Sequence, residues 1–365
     1  VNRKRKQVED KMSKMAKNVV VGHVEVGGGL PTHLISEIGL NHNGSMDLAR
    51  ESIYESAKAG ATFVKFQKRN PSDLATAEFL DAPFPKAPLF GRTQREVRER
   101  LELDGNQLAD LKAYAESFNL VFFFSVFDHS SLDLAKEMQL PIIKIASHSI
   151  TNGPLLEASV KSGIPIMASL GGSKGAEVDR AVDILKDTQT ILMHCTSAYP
   201  TPDNLVRLDT IRYLQERYVM PVGYSGHESG ITLSIGAAFH GACIIERHFT
   251  LARSMPGLDH GISLEPAEFA ALAQELRRVH GSKGIADDLV DEELAARNNY
   301  HVGVRTSVAL SKGDTIKEKD LVLKQPLTDS GTYFTGLEVA DVVGRQVSAA
   351  VGEGDLIPRS VIGAG

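Results

Sequence analysis

The sequence predicts an α/β protein, a closed (β/α)8 barrel of the TIM type followed by a small β-rich domain. Three observations carry this. From residue 30 onward a short apolar run ends in polar residues and is followed by an amphipathic stretch of about 10–15 residues, the alternation of parallel strands and helices. The phrase occurs eight times, the number that closes such a barrel. After Tyr300 the chain changes to short β-rich runs.

Length and composition agree. The chain has 365 residues, 42% hydrophobic and 24% charged, which suits a folded barrel of roughly 250 residues plus an appendage. The apolar fraction excludes disorder for most of the chain. No run approaches the roughly 18 apolar residues of a membrane-spanning helix. A net charge of −6 argues against general nucleic-acid binding. Cys195 and Cys243 cannot form a disulfide framework, and each lies in an apolar run that predicts a buried small hydrophobe.

Taken in order, residues 1–29 read as a basic, disordered tail and lead-in. Seven of the first 17 residues are Lys or Arg, and no apolar segment of a secretory signal follows. The tail is a disordered arm, a stretch upstream of a start at Met12 or Met15, or a nucleic-acid contact; the expected location is cytoplasmic. Residues 30–282 form the barrel. Its strands are His33–Ile38, Thr62–Gln67, Val121–Phe127, Ile142–Ala146, Pro165–Ser169, Thr190–Cys195, Pro221–Tyr224 and Ala242–Arg247. Helical spacing marks Leu48–Ala59 (Ile53, Tyr54 and Ala57 on one face), Asn106–Phe118, Leu205–Arg217 and Pro266–His280. Gly60 and Gly163 suit left-handed helix ends. An open doubly wound sheet is the alternative, but no G-x-G-x-x-G follows the first strand. Residues Arg69 to Asp104 make a long second loop, expected to be a lid or substrate wall. Residues 283–300 read as a helical linker. Residues 301–365 form the small domain, in which KGDTI returns as EGDLI.

Barrel active sites form at the C-terminal strand ends. Those ends bring Glu37, Lys65, Gln67, Lys144, Ser147, Ser169, His194, His227 and His248 to one mouth. His227 and His248 end neighbouring strands and could share a divalent ion, with Glu37 or Glu246 as a carboxylate. Two hydrogen-bonded histidines without metal are the competing reading. Lys65 and Lys144 suit a phosphate or carboxylate, and Lys144 alternatively a Schiff base; a lysine paired with a neighbouring acid is the competing reading for each. Ser147, Ser149, Ser169, Ser173 and Ser225, beside Gly171, Gly172 and Gly226, can donate to a phosphate or be plain turn residues. Tyr199 and Asp259 lie on loops where they could meet a polyol.

The phrases SEIGLNHNG, VKFQ, IIKIAS, HCTSAYPTP, GHE and ERHFT with PGLDHGISLEP resemble those of the sialic acid synthase family, over nearly the whole chain from about residue 30. The C-terminal KGDTI…KQP…EGDLI resembles its antifreeze-like (SAF) domain. The resemblance implies an enzyme that condenses phosphoenolpyruvate with an aldose-type sugar, N-acetylmannosamine or a related surface sugar, to a 3-deoxy-2-ulosonic acid and phosphate. It implies a divalent metal, Mn²⁺ or Mg²⁺, on the positions of His227 and His248. Lys65, Gln67, Lys144, Ser147, Ser169 and Ser225 match positions that hold phosphoenolpyruvate. Glu37, Tyr199 and Asp259 match positions around the sugar. Ser125 and Ser197 are further candidates for substrate contact. It also implies a homodimer that swaps the small domain.

Four positions depart from the family pattern. Ser149 stands in place of Glu, Ser197 of Asn, Gly226 of Asp, and Gln325 of an Arg that reaches the partner's sugar. All bear on the sugar side, so the acceptor is expected to differ from plain N-acetylmannosamine. A legionaminate, pseudaminate or spore-coat-type sugar synthase is the near alternative. A Schiff-base aldolase using Lys144 and a non-catalytic sugar-binding protein are alternatives of other classes.

Overall fold

The computed structural model describes residues 17–284, 286, 289–329 and 331–363. The chain divides into two compact units, Val1–Lys283 and Gly284–Gly365. Residues 1–16, most of the predicted basic tail, lie outside the described residues.

The first unit opens with an antiparallel hairpin, β1 (Val19–Val21) and β2 (Val24–Val26). This differs from the expected unstructured lead-in. The reason is alternation: Val19, Val21, Val24 and Val26 are buried, whereas Val20 and Glu25 face out. The hairpin meets the N-terminal strand ends. Val20 N–H donates to Gln189 at 3.3 Å, and His33 Nε2 to the Glu25 carbonyl at 3.1 Å.

Eight parallel strands follow: β3 (His33–Gly39), β4 (Phe63–Lys68), β5 (Val121–Val126), β6 (Ile143–Ile145), β7 (Ile166–Ser169), β8 (Thr190–Cys195), β9 (Val222–Gly226) and β10 (Ile244–His248). They close in sequence order, with β10 pairing β3. Every predicted run is a strand. All eight are buried on nearly every residue, because helices cover the outer face and side chains fill the inner one. Inside, Phe63 and Phe123 meet edge to face at 6.2 Å. Gly223 makes room for its neighbours: a Cβ there would lie 2.5 Å from both Met193 Sδ and Ile244 Cγ2.

The helices follow the predicted spacing, at Met46–Lys58, Gly105–Glu116, Asp209–Tyr218 and Pro266–Gly281. Local chemistry sets their ends. Asp104 and Gln107 form a reciprocal capping box, and Gly163 closes its helix at φ 72°. On the first helix Ile53 is buried with Ala49, Ser52 and Ser56, but Tyr54 is exposed, one position off the buried stripe.

The long second loop is structured. It holds helices at Pro71–Leu74, Ala77–Asp81 and Gln94–Leu101 and a small core of Ala87, Val97 and Leu101. Glu102 closes its stem. Its carboxylate accepts from Lys68 Nζ at 3.2 Å and Arg69 N–H at 3.1 Å, and lies 3.0 Å from Arg69 Nε.

The second unit contains the helix Asp291–Tyr300 and an antiparallel pair, β11 (Gly303–Thr306) and β12 (Leu321–Lys324). Its core is Val304, Leu310, Ile316, Phe334, Val342, Val347, Val351 and Ile357. The repeated Gly-Asp phrase makes the same turn twice. Asp314 accepts from Ser311 N–H at 2.7 Å and Asp355 from Gly352 N–H at 3.1 Å, with Gly313 and Gly354 both at positive φ. Each turn then delivers a buried isoleucine, Ile316 or Ile357.

Candidate active site

The C-terminal strand ends surround a cavity of about 350 Å³. Glu37, Lys65, Gln67, Ser125, Lys144, Ser147, Ser169, Ser197, Tyr199, Ser225, His227 and His248 all line it. Parity puts them there. Alternate residues of a strand face one side, so Glu37, Lys65 and Ser225 point inward while Ser36, Val64 and Tyr224 point to the helices.

Four ionisable side chains form its floor. Lys65 Nζ lies 2.8 Å from Glu37 Oε2, donates to Ser125 Oγ at 2.9 Å, and lies 3.7 Å from Glu246 Oε1. Lys144 Nζ donates to Glu246 Oε1 at 2.5 Å and to Ser225 Oγ at 3.4 Å. Burial lowers the Lys65 pKa, against the pull of Glu246 and Glu37. Burial alone would raise the Glu246 carboxyl, but the Lys144 and Lys65 ammoniums hold it well below the usual carboxylate range. Two cations and two carboxylates cancel, so the floor is neutral as it stands. Each lysine is thus paired with an acid, the reading that competed with a free cation poised for an anion. Glu246, weighed from sequence only as a metal carboxylate, instead bridges both lysines.

Gln67 is oriented by its neighbours. The Arg69 guanidinium, which only donates, binds the Gln67 carbonyl oxygen. The Gln67 amide therefore donates to Glu37 Oε1, at 2.8 Å. Arg69 stacks over Phe127 at 4.5 Å, and His148 stacks on that ring at 4.9 Å. Neither Arg69 nor His148 stands out in the sequence, because no local pattern marks a stack between three strand ends.

Hydroxyls occupy the next side. Ser169 Oγ is buried without a partner, and Ser147 Oγ lies 3.6 Å from Cys195 Sγ. Gly171 is needed for space: a Cβ would lie 2.7 Å from Ser197 Oγ and 3.0 Å from Ser147 Oγ. Cys195 is buried as predicted, but it also lines the cavity.

The imidazoles of His227 and His248 stand 5.5 Å apart. His227 Nδ1 lies 3.1 Å from the Thr196 carbonyl, so Nδ1 carries the proton and Nε2 keeps its lone pair. Burial and the neighbouring His248 push the His227 pKa down to about 3. The Tyr199 ring lies 4.2 Å from His227. His248 Nδ1 is buried without a hydrogen bond, and the Asp259 carboxylate is 3.9 Å away.

Two expectations change. His194 does not reach the cavity; one residue before Cys195, it faces outward, and its Nε2 donates to the Val206 carbonyl at 2.6 Å. Ser149 is buried but does not line the cavity. Gln325 belongs to the second unit, where its amide donates to the Tyr300 carbonyl.

Fold and site together define a (β/α)8-barrel enzyme with its polar chemistry at the C-terminal strand ends. The NeuB family model matches residues 52–287, more than half of the chain. N,N'-diacetyllegionaminic acid synthase of Campylobacter jejuni is 35% identical over 304 residues, covering 81% of this chain and 90% of the relative. N-acetylneuraminate-9-phosphate synthase of Homo sapiens is 32% identical over 341 residues, covering 92% and 94%. The crystal structure of N-acetylneuraminic acid (sialic acid) synthetase from Leptospira borgpetersenii, in complex with citrate, superposes with a TM-score of 0.67 at 34% identity, covering 78% of this chain and 98% of that one. The chain belongs to the NeuB family and is an enzyme of that type. Among the described residues no helix is long and apolar enough to cross a membrane.

Proposed function

We propose that this enzyme condenses phosphoenolpyruvate with an aldose-type sugar to give a 3-deoxy-2-ulosonic acid and phosphate. The observation that carries the reading is the convergence of Lys65, Lys144 and the Ser125, Ser147, Ser169 and Ser225 hydroxyls on one buried cavity that also presents two imidazoles. The balance is simple. C3 of the enol forms a bond to the sugar's aldehyde carbon, water oxygen adds at C2, and the C2–O bond to phosphate breaks. The two water protons end on the new hydroxyl and on phosphate.

In this reading the lysines, Gln67 and the serines hold the anionic ends of phosphoenolpyruvate. Glu37, Tyr199 and Asp259 flank the acceptor, and Ser197 completes the wall. Sugar binding displaces water from the buried mouth, which strengthens each charged contact.

The histidine pair fits a divalent ion, Mn²⁺ or Mg²⁺. His227 offers a free Nε2; on His248 the Asp259 carboxylate faces the otherwise unpartnered Nδ1 as an outer carboxylate, which would leave Nε2 for the ion. Among the described residues no three His, Cys, Asp or Glu side chains converge as a ready-made site, so water and substrate would complete the coordination. When bound, such an ion would supply Lewis-acid polarisation of the sugar carbonyl. The neutral floor supports this: phosphoenolpyruvate brings about three negative charges, and the protein side chains alone do not offset them.

A Schiff-base aldolase using Lys144 is the alternative of another class; it needs no metal, so activity that survives EDTA and is trapped by borohydride would favour it. The change at Ser197, which lines the cavity, supports an acceptor other than plain N-acetylmannosamine, within the surface-sugar class named for the relatives. We further propose that the second unit is an SAF-type domain and that the chain works as a homodimer, which sedimentation of the intact chain tests. The deciding assay is phosphate release from phosphoenolpyruvate with Mn²⁺ and a panel of aldoses, before and after EDTA. Metal-dependent release with one sugar supports the reading and names the acceptor. No release with any sugar, from folded protein, argues for a binding protein instead.

A further inference from the structure

Behind the histidine pair, on the outer face of the barrel wall, lies a buried ion pair with no part in the cavity. Glu228 follows His227 and Arg247 precedes His248. Their side chains are 0% and 1% exposed. Arg247 Nη1 donates to Glu228 Oε1 at 2.9 Å, to Ser234 Oγ at 2.9 Å and to the Gly230 carbonyl at 2.7 Å. Its Nη2 donates to the Glu228 carbonyl at 2.5 Å. Tyr224 OH donates to Glu228 Oε2 at 2.7 Å, and Ser234 Oγ to Oε1 at 2.7 Å. Arg247 thus grips both the side chain and the main chain of the residue after His227.

The space for this carboxylate comes from Gly226. A Cβ at that position would lie 2.5 Å from Glu228 Oε2 and 2.6 Å from the Tyr224 ring. Gly226 is the register partner of Arg247 across β9 and β10, and its backbone needs no glycine, since its φ is not positive. The missing side chain at 226 and the carboxylate at 228 are therefore one feature. They place an anion opposite Arg247 from the far side of His227.

We propose that the Glu228–Arg247 pair is the positioning element of the histidine pair: it sets the separation of the two imidazoles and thereby the affinity of the site for a divalent cation. The argument rests on the metal reading above. Neighbouring residues of a strand face opposite sides, so a shift of Arg247 outside is a shift of His248 inside. A well-packed apolar pair would hold the wall at least as firmly. What the forked, multiply bonded guanidinium adds is a fixed distance and direction between the two strand ends.

The test is Mn²⁺ binding to the intact chain, read as loss of the free-ion signal in electron paramagnetic resonance, with circular dichroism recorded on each variant. The wild type should bind, and His248→Ala should not. Glu228→Gln should bind more weakly, by up to the roughly 10–100-fold lost when groups bonded directly to metal ligands are removed. Tyr224→Phe removes one hydrogen bond to Glu228 and should weaken binding several-fold with an unchanged spectrum. If Glu228→Gln fails to fold, Tyr224→Phe decides. Wild-type affinity in the folded variants overturns the positioning role while the metal reading stands. Equal binding by wild type and His248→Ala, or none by wild type, overturns both.

Discussion

Replacing Lys144 by Met tests the charge arrangement of the cavity floor. The change removes an ammonium 2.5 Å from Glu246 Oε1 and leaves that carboxylate, 4% exposed, with Ser225 and the more distant Lys65 at 3.7 Å. Breaking a buried ion pair on one side costs about 3–5 kcal/mol; the second lysine places this case near the lower end. For a barrel of this size each kcal/mol lowers the melting temperature by about 2–4 °C, so a fall of roughly 6–12 °C is expected near pH 8. In the wild type the lysines hold the Glu246 pKa down, so its contribution is present above the unfolded carboxyl pKa and fades as pH falls. In the variant burial dominates and the folded pKa rises above the unfolded one. A raised carboxyl is stabilised by proton uptake, so the deficit shrinks toward pH 5 and grows as pH rises. Thermal unfolding of both proteins at pH 5, 6.5 and 8 measures it. A deficit that is constant with pH, or below about 1 kcal/mol throughout, refutes the reasoning.

Other outcomes follow from the same geometry. His248→Ala should abolish phosphate release while circular dichroism stays that of the wild type. Gly171→Ala puts a methyl 2.7 Å from Ser197 Oγ and should raise the KM for phosphoenolpyruvate, with an overpacking cost of about 1–3 kcal/mol seen in unfolding. Glu102→Ala unclasps the stem of the long second loop and should cost about 1.5–3 kcal/mol, with faster proteolysis between residues 69 and 104.

Much of this protein was legible in its sequence, for local reasons. Apolar runs at β spacing and helical stripes depend on residues a few positions apart, so all eight strands and the mouth they end on follow from the chain alone. The two histidines, both lysines and the serines were reachable because barrel strands deliver their C-terminal ends to one place. Facing was less certain. A single-residue offset turns a side chain through the wall, which is why Cys195 lines the cavity and His194 does not. Pairing across the closed barrel was beyond the sequence. Lys144 meets Glu246 across 102 positions, and the contact exists only because strand register and closure bring β6 and β10 to the same floor. Gly226 makes the same point at short range. From the sequence it is a departure from Asp expected to bear on the sugar; in the fold it does not line the cavity and is the room that the Glu228 carboxylate occupies, because packing in three dimensions decides which atoms share a space.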